Sequence, residues 1–213
     1  MPIDANIGAA FTGTDMKSTR SYTMTSRARA VEETRRRILD ASVELHGERL
    51  VADISLDDIA ERAGVSVQTV LRHFGSRAGL VEASVEHGRA EVEAERRTPV
   101  GDVAAAVRTI VDHYEQRGDG VLVMLAQEPH QELMARVTAA GRRLHGAWVE
   151  EVFAPYLDTA EDPAALADLL VVATDVYTWK LLRRDRGLGR DLTENRIHHL
   201  VRSLLGTAGP AQP

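Results

Sequence analysis

The stretch ISLDDIAERAGVSVQTVLRHF, residues 54–74, decides the fold of this chain. It contains two short helical patterns, and each begins with a serine of the kind that caps a helix N-terminus. An apolar residue precedes each serine and can pack against the first turn of the helix. Gly64 lies between the two patterns, where a tight turn requires a left-handed backbone. This arrangement is typical of a helix-turn-helix.

The inner side of the motif has the small and apolar residues that the geometry requires. A helix-turn-helix needs a small residue where its helices cross, and Ala60 or Ala63 supplies it. Val65 and Val70 can then hold the second helix in place. The upstream segment 31–46 has apolar residues at helical spacing and provides a first helix for the same core.

The outer side of the second helix carries side chains suited to nucleic acid. Gln68 and Arg72 are four residues apart and share a face, and their amide and guanidinium groups make bidentate contacts to adenine and guanine edges. Arg77 is placed for a backbone phosphate. The candidate DNA-binding residues are Arg35, Ser55, Ser66, Val67, Gln68, Thr69, Leu71, Arg72, His73 and Arg77. The alternative interpretation is a helical corner whose polar face is only solvated.

Charge and composition agree with a local nucleic-acid contact. The chain has 213 residues, a net charge of −6 and no cysteine, which excludes disulfides and thiol chemistry. Residues 1–37 carry seven basic against four acidic side chains, whereas residues 91–213 carry 14 against 19. The longest apolar run, 121–126, is too short for a transmembrane helix, so we expect a cytoplasmic protein without a membrane partner.

The rest of the sequence predicts helices and no strands. Apolar residues recur at helical spacing in the segments 76–97, 103–118, 121–127, 133–155, 164–182 and 192–205. Gly118 and Gly120 are expected to close one of these helices. The fold class is therefore all-α. Residues 1–27 have no sustained helical or strand periodicity, so we expect them to be disordered. Two interpretations remain open: these residues form a basic arm that lies along a DNA groove, or the natural start of the protein is Met24.

Residues 31–90 resemble the DNA-binding domain of the TetR/AcrR family of transcriptional regulators. The string 54–66, Thr69, His73-Phe74 and 76–80 carry the resemblance. Leu71 departs from it, because family members often have a tyrosine there, whose hydroxyl contacts phosphate. The resemblance implies an N-terminal three-helix helix-turn-helix head and a C-terminal helical ligand-binding and dimerisation domain. The predicted divisions are a disordered arm at 1–27, the DNA-binding domain at 28–76, the helical domain at 77–207 and a disordered tail at 208–213.

The resemblance also implies a small-molecule effector and a homodimer. Large side chains at helical positions of the middle region are the candidate ligand-binding residues: Tyr114, Met124, Gln127, Met134, Trp148, Phe153 and Tyr177. The helix at 164–182 is apolar nearly all round, and the last helix carries an apolar stripe. The candidate dimerisation residues are Leu166, Leu170, Ala173, Leu181, Ile197, Leu200, Val201 and Leu204. A buried monomer core is the alternative.

Enzyme and metal signatures are weak. The segment 128–132 gathers two carboxylates and a histidine, but Pro129 indicates a helix start with acids in its first turn. His198 and His199 are adjacent and point about 100° apart on a helix, so they cannot chelate one ion. We therefore expect no enzyme activity, cofactor or metal. The predicted function is a ligand-responsive repressor that binds a palindromic operator in double-stranded DNA as a dimer. An all-α interaction module or a small-molecule-binding protein without regulatory activity is the alternative.

Overall fold

The computed structural model describes the backbone of residues 16–207 and the side chains of residues 27–206. Within residues 16–207 it contains helices and no β-strand, so the all-α prediction is confirmed. The helices are α1 (Met16–Glu48), α2 (Leu56–Ala63), α3 (Val67–Phe74), α4 (Arg77–Glu95), α5 (Val103–Gln127), α6 (Glu132–Val152), α7 (Ala154–Leu157), α8 (Pro163–Ala173), α9 (Val176–Lys180) and α10 (Arg190–Thr207). None of these helices is long and apolar enough to cross a membrane within the described part of the chain.

The chain divides into two compact units, residues 1–37 and residues 38–213. The first unit holds the N-terminal part of α1. Residues 16–27 were expected to be disordered, but their backbone is helical. The physical reason is that no glycine or proline interrupts residues 14–46, so nothing ends the helix. Residues 1–15 of the predicted arm, and the predicted tail at 208–213, lie outside the described residues.

A first hydrophobic core is formed by the C-terminal part of α1 with α2, α3 and α4. Ile38, Ile54, Val70 and Leu80 are its most deeply buried large residues, each 0–2% exposed. Phe74 packs against it from the last turn of α3. One side of α3 packs against this core, and the opposite side of α3 is exposed to solvent.

The turn between α2 and α3 has the geometry that the sequence predicts. Gly64 ends α2 with φ 67° and ψ 39°, a left-handed conformation that costs glycine little. The amide of Val65 donates to the carbonyl of Ala60 at 2.9 Å, which satisfies one of the last carbonyls of α2. Ser66 then begins α3 as its N-cap, so only two residues separate a helix end from the next cap.

A second core lies among α5, α6, α8, α9 and α10. Ile110, Phe153, Leu170, Trp179 and Val201 are fully buried in it. Helix α5 contacts α6, α9 and α10, so it is the central element of this core. All the side chains predicted to bind ligand or to form the dimer lie on these helices or next to them.

Two predicted helix boundaries in this core are wrong. The expected end of a helix at Gly118 and Gly120 does not occur, because α5 continues to Gln127. Both glycines serve close packing: Gly118 faces the ring of Trp179 and Gly120 faces the backbone of Gly47. The predicted single helix at 164–182 is divided after Ala173, because Asp175 caps a new helix by accepting from the amide of Tyr177 at 2.8 Å.

Candidate DNA-binding surface

The exposed side of α3 is the centre of the candidate site. Gln68 and Arg72 are exposed, and neither has a hydrogen-bond or ion-pair partner among the described residues. Leu71, 39% exposed, lies between them. On the opposite side of the same helix Val70 is completely buried. Because the backbone is fixed by that buried side, the two polar side chains are presented outward without competing intramolecular contacts.

The N-terminal turn of α3 is closed by its own side chains. The hydroxyl of Ser66 accepts from the backbone amide of Thr69 at 3.2 Å, and the two hydroxyls lie 3.0 Å apart. Ser66, Gln68, Thr69, Leu71 and Arg72 line one open groove on this face. Of the other predicted residues on α3, Val67 and His73 are half-buried.

Two predicted contact residues flank α3 and also hold the motif together. Ser55 caps α2 and forms a capping box with Asp58: the amide of Ser55 donates to Asp58 Oδ2 at 2.8 Å, and the amide of Asp58 donates to Ser55 Oγ at 3.1 Å. Hydrogen bonds to the Asp58 carboxylate from the Ser55 hydroxyl, from the Arg49 guanidinium at 2.9 Å and from the Ser55 amide hold the pKa of Asp58 well below its usual range. Arg77 donates from Nη2 to the carbonyl of Ile54 at 2.7 Å. Ser55 and Arg77 therefore have structural partners in addition to any contact with DNA.

Ion pairs connect α2 to the C-terminal end of α1. Arg62 donates to Glu48 at 2.7 and 2.9 Å and to Glu44 at 3.2 Å. The hydrogen bonds from Arg62 lower the pKa of Glu48. These pairs are solvent-exposed, so each adds little stability, but together they fix the orientation of α2. Arg35, the remaining predicted DNA-binding residue, lies on α1 in the other unit and is half-buried.

The candidate ligand-binding residues are only partly brought together. Tyr114, Trp148 and Phe153 lie in the second core, where the Trp148 and Phe153 rings meet edge to face at 6.1 Å. Gln127 instead joins two elements, because its Oε1 accepts from the amide of Val51 at 2.9 Å. Tyr177 is 57% exposed. Met124 is half-buried and Met134 is buried, and neither belongs to the second core.

The candidate dimerisation residues divide into two groups. Leu166, Leu170, Ala173, Ile197 and Val201 are buried within the chain, and Leu204 packs against the same core. Leu181 and Leu200 are 54% and 42% exposed. Two further residues of the apolar helix at 164–182, which are not among these candidates, are also exposed on α8: Leu169 at 50% and Val172 at 61%. A helix that is apolar nearly all round does not reveal which side faces inward, so periodicity alone could not separate these groups.

One mixed cluster was not predicted. Asp40 from α1 and His87 and Glu91 from α4 place potential ligand atoms within 4.8 Å of one another. His87 Nε2 lies 2.6 Å from Asp40 Oδ1, and Glu91 accepts from Arg117 at 3.1 Å. These contacts form a polar network between α1, α4 and α5. The cluster depends on residues 47 positions apart, for which a short-range motif gives no signal.

The fold and the exposed α3 define a helix-turn-helix protein. Residues 38–84 match the model of the bacterial regulatory proteins of the tetR family. Over 56 residues the chain is 41% identical to the HTH-type transcriptional regulator SrpR of Pseudomonas putida and 39% identical to the uncharacterized HTH-type transcriptional regulator TtgW of the same species. Each match covers 26% of this chain. The matched stretch is 26% of the length of SrpR and 42% of the length of TtgW, so it spans less than half of either relative.

A solved structure extends the similarity to the helical half. The chain superimposes on SCO4454, a TetR-family transcriptional regulator from Streptomyces coelicolor, with a TM-score of 0.63 and 25% sequence identity, covering 83% of this chain and 96% of that one. The chain thus carries a tetR-type DNA-binding segment at residues 38–84 and resembles a TetR-family regulator in its overall fold. Members of this family are DNA-binding regulators and not enzymes, in agreement with the expectation from the sequence.

Proposed function

We propose that the protein is a ligand-responsive transcriptional repressor that binds a palindromic operator as a dimer and is released from it by a small, largely apolar effector. The observation that carries the proposal is the pair Gln68 and Arg72, which are exposed on a helix fixed by its buried side and have no partners among the described residues. Such side chains can form bidentate contacts to adenine and guanine in the major groove.

The division of the chain supports the same proposal. We propose residues 28–76 as the DNA-binding domain and 77–207 as the domain for effector binding and dimerisation. Helix α4 begins next to the recognition helix and ends in contact with α5 and α6, so it can transmit a change between them. An effector that binds better to a dimer with wrongly spaced heads would shift the population toward that state and release DNA.

Exposed apolar residues support the dimer. Leu169 and Val172 are three positions apart on α8 and therefore share a face. Helix α10, which packs against α8, leaves Leu200 exposed. A second copy of the chain would cover these side chains and provide the two-fold symmetry that a palindromic operator requires.

The experiment that tests the proposal is selection of bound duplexes from a random DNA pool by the purified full chain, followed by titration at two salt concentrations. We expect enrichment of a palindrome and a steep salt dependence, because phosphate contacts release counterions. Gln68→Ala and Arg72→Ala should lose the enriched sequence. Arg143→Ala is the matched control, since it removes an exposed arginine from α6, outside the proposed dimer interface. Failure to enrich any sequence at low salt would overturn the proposal.

A further inference from the structure

Arg96 is a buried cation without a counter-ion among the described residues. It follows the last turn of α4 and is only 7% exposed. Among the described residues its Nε has no hydrogen-bond partner, whereas its Nη1 lies 3.3 Å from Nδ1 of His145 and its side chain also interacts with Tyr114. No carboxylate in the described part of the chain forms an ion pair with it. Arg117 and Arg183, by contrast, are paired with Glu95 and Glu115 on the same group of helices.

The neighbours of Arg96 compensate its charge only in part. Burial lowers the pKa of His145 to about 4, so at neutral pH this ring is uncharged and its Nδ1 can accept from Arg96. The two acids that act electrostatically on Arg96 have other hydrogen-bond partners. Glu95 binds Arg117 and His113, and Asp175 accepts from the amide of Tyr177 at 2.8 Å. A guanidinium stays protonated even when buried, and the carboxylates of Glu95 and Asp175 act on it only from beyond ion-pair distance, so Arg96 has no direct counter-ion.

Aromatic side chains lie next to Arg96. The guanidinium carbon lies 5.6 Å from the centre of the Tyr114 ring. His145 stacks on Trp148 with ring centres 5.8 Å apart, and the indole Nε1 of Trp148 donates to the carbonyl of Arg96 at 2.9 Å. The guanidinium of Arg96 has a free N–H donor and lies next to aromatic rings. Such a group can bind a planar anion that carries an apolar group.

We infer that Arg96 binds the carboxylate of a small aromatic acid, with Tyr114 and Trp148 against its ring. This inference rests on the proposed function, because it assigns a chemical class to the effector. The carboxylate would accept from the unpartnered Nε and from a neighbouring Nη of Arg96. Because Arg96 directly follows α4, an anion bound there contacts the end of the helix whose other end abuts the recognition helix.

The test uses benzoate as the probe and the purified full chain without DNA. At ten times its Kd, benzoate should raise the Tm of the wild-type protein by about 3 °C or more. Benzamide, which has the same shape without the charge, and sodium chloride at equal ionic strength should leave Tm unchanged. The tryptophan fluorescence of the chain, to which Trp148 and Trp179 both contribute, should change with benzoate at the same concentrations.

Matched variants separate a binding role from a structural one. Arg96→Met should abolish the response to benzoate and unfold at the same or a higher temperature than the wild type, because it removes an unpaired buried charge. Arg96→Lys should weaken benzoate binding at least tenfold without abolishing it, since lysine keeps the charge but not the planar fork. Arg97→Met, which removes the adjacent exposed arginine, should respond to benzoate as the wild type does.

The outcomes distinguish this site from the regulatory function. Absence of stabilisation by benzoate, equal stabilisation of Arg96→Met, or a markedly lower Tm of Arg96→Met without ligand would each overturn the anion site. If the protein selects an operator while benzoate does not bind, only the anion site is lost. If benzoate binds through Arg96 while no duplex is selected, the site stands and the repressor function is lost.

Discussion

Gly118 lies so close to Trp179 that a Cβ atom at position 118 would be 2.5 Å from Cζ3 and 2.7 Å from Cη2 of the indole ring. Trp179 is fully buried. Its Nε1 donates to Glu115 Oε1 at 2.9 Å, and the guanidinium of Arg184 lies over its ring at 4.5 Å. The ring is therefore held from several sides and cannot move away without losing these contacts.

We expect Gly118→Ala to lower the free energy of unfolding by about 1–3 kcal/mol, because overpacking outweighs the better helix propensity of alanine. Urea denaturation measures the change. Gly141→Ala is the matched control: this glycine is exposed in the middle of α6, a Cβ atom added there would meet nothing within 4 Å, and the substitution should stabilise by up to about 1 kcal/mol. Equal effects at both positions would show that the Trp179 contact is unimportant.

Arg72 and Arg77 should contribute differently to DNA binding. Arg72→Ala should weaken binding to the selected operator by about 1–3 kcal/mol and relax the preference at one base of each half-site. Arg77→Ala should weaken binding to all sequences alike and reduce the salt slope by about one unit. It should also lower stability, because Arg77 Nη2 loses its bond to the carbonyl of Ile54. Titrations of matched and mismatched duplexes at several salt concentrations measure both effects, and equal loss of specificity would contradict this assignment.

Val172→Glu should disrupt the proposed dimer. Val172 is 61% exposed on α8, so the substitution leaves the intramolecular core intact but places a charge where a second copy would pack. Analytical ultracentrifugation should show a shift from dimer to monomer. Val100→Glu is the control, because Val100 is 54% exposed outside the helices of the proposed interface. A dimer that persists in Val172→Glu would place the interface elsewhere.

The head could be predicted from the sequence because its signals are local. Ser55, Gly64 and Ser66 each act on backbone groups within five residues, so spacing alone indicates the caps and the turn. The contacts of the helical half join distant positions. Gly118 contacts Trp179, which is 61 residues away, and Arg96 contacts His145, which is 49 residues away. In the sequence, a glycine that packs against a ring looks the same as a glycine that ends a helix. A buried arginine likewise looks the same as a solvent-exposed one. The sequence therefore indicates candidate ligand residues only by their size and gives no signal for the buried position of Arg96.

Acid should destabilise the protein first through the buried histidines His145 and His113, whose pKa values are lowered by burial, and then through Glu95. Burial lowers the pKa of His145 from 6.5 to about 4, so the unfolded state takes up a proton first and stability falls as the pH drops from about 6.5 to about 4. The hydrogen bond from His113, with Arg117, lowers the pKa of Glu95 from 4.5 to about 2, so its contribution is lost at still lower pH.

The His145 step can be isolated by comparing pH 7.5 with pH 5. Between these values the free energy of unfolding should fall by about 2 kcal/mol through His145 alone, since one pKa unit corresponds to about 1.4 kcal/mol. His145→Gln keeps an acceptor for Arg96 but cannot titrate, so urea denaturation of this variant should show a correspondingly smaller decrease. His198→Gln is the control, because it replaces a half-buried histidine on α10. This variant should show the full decrease in the free energy of unfolding. An unchanged pH dependence in His145→Gln would show that the ring is not held neutral by the fold.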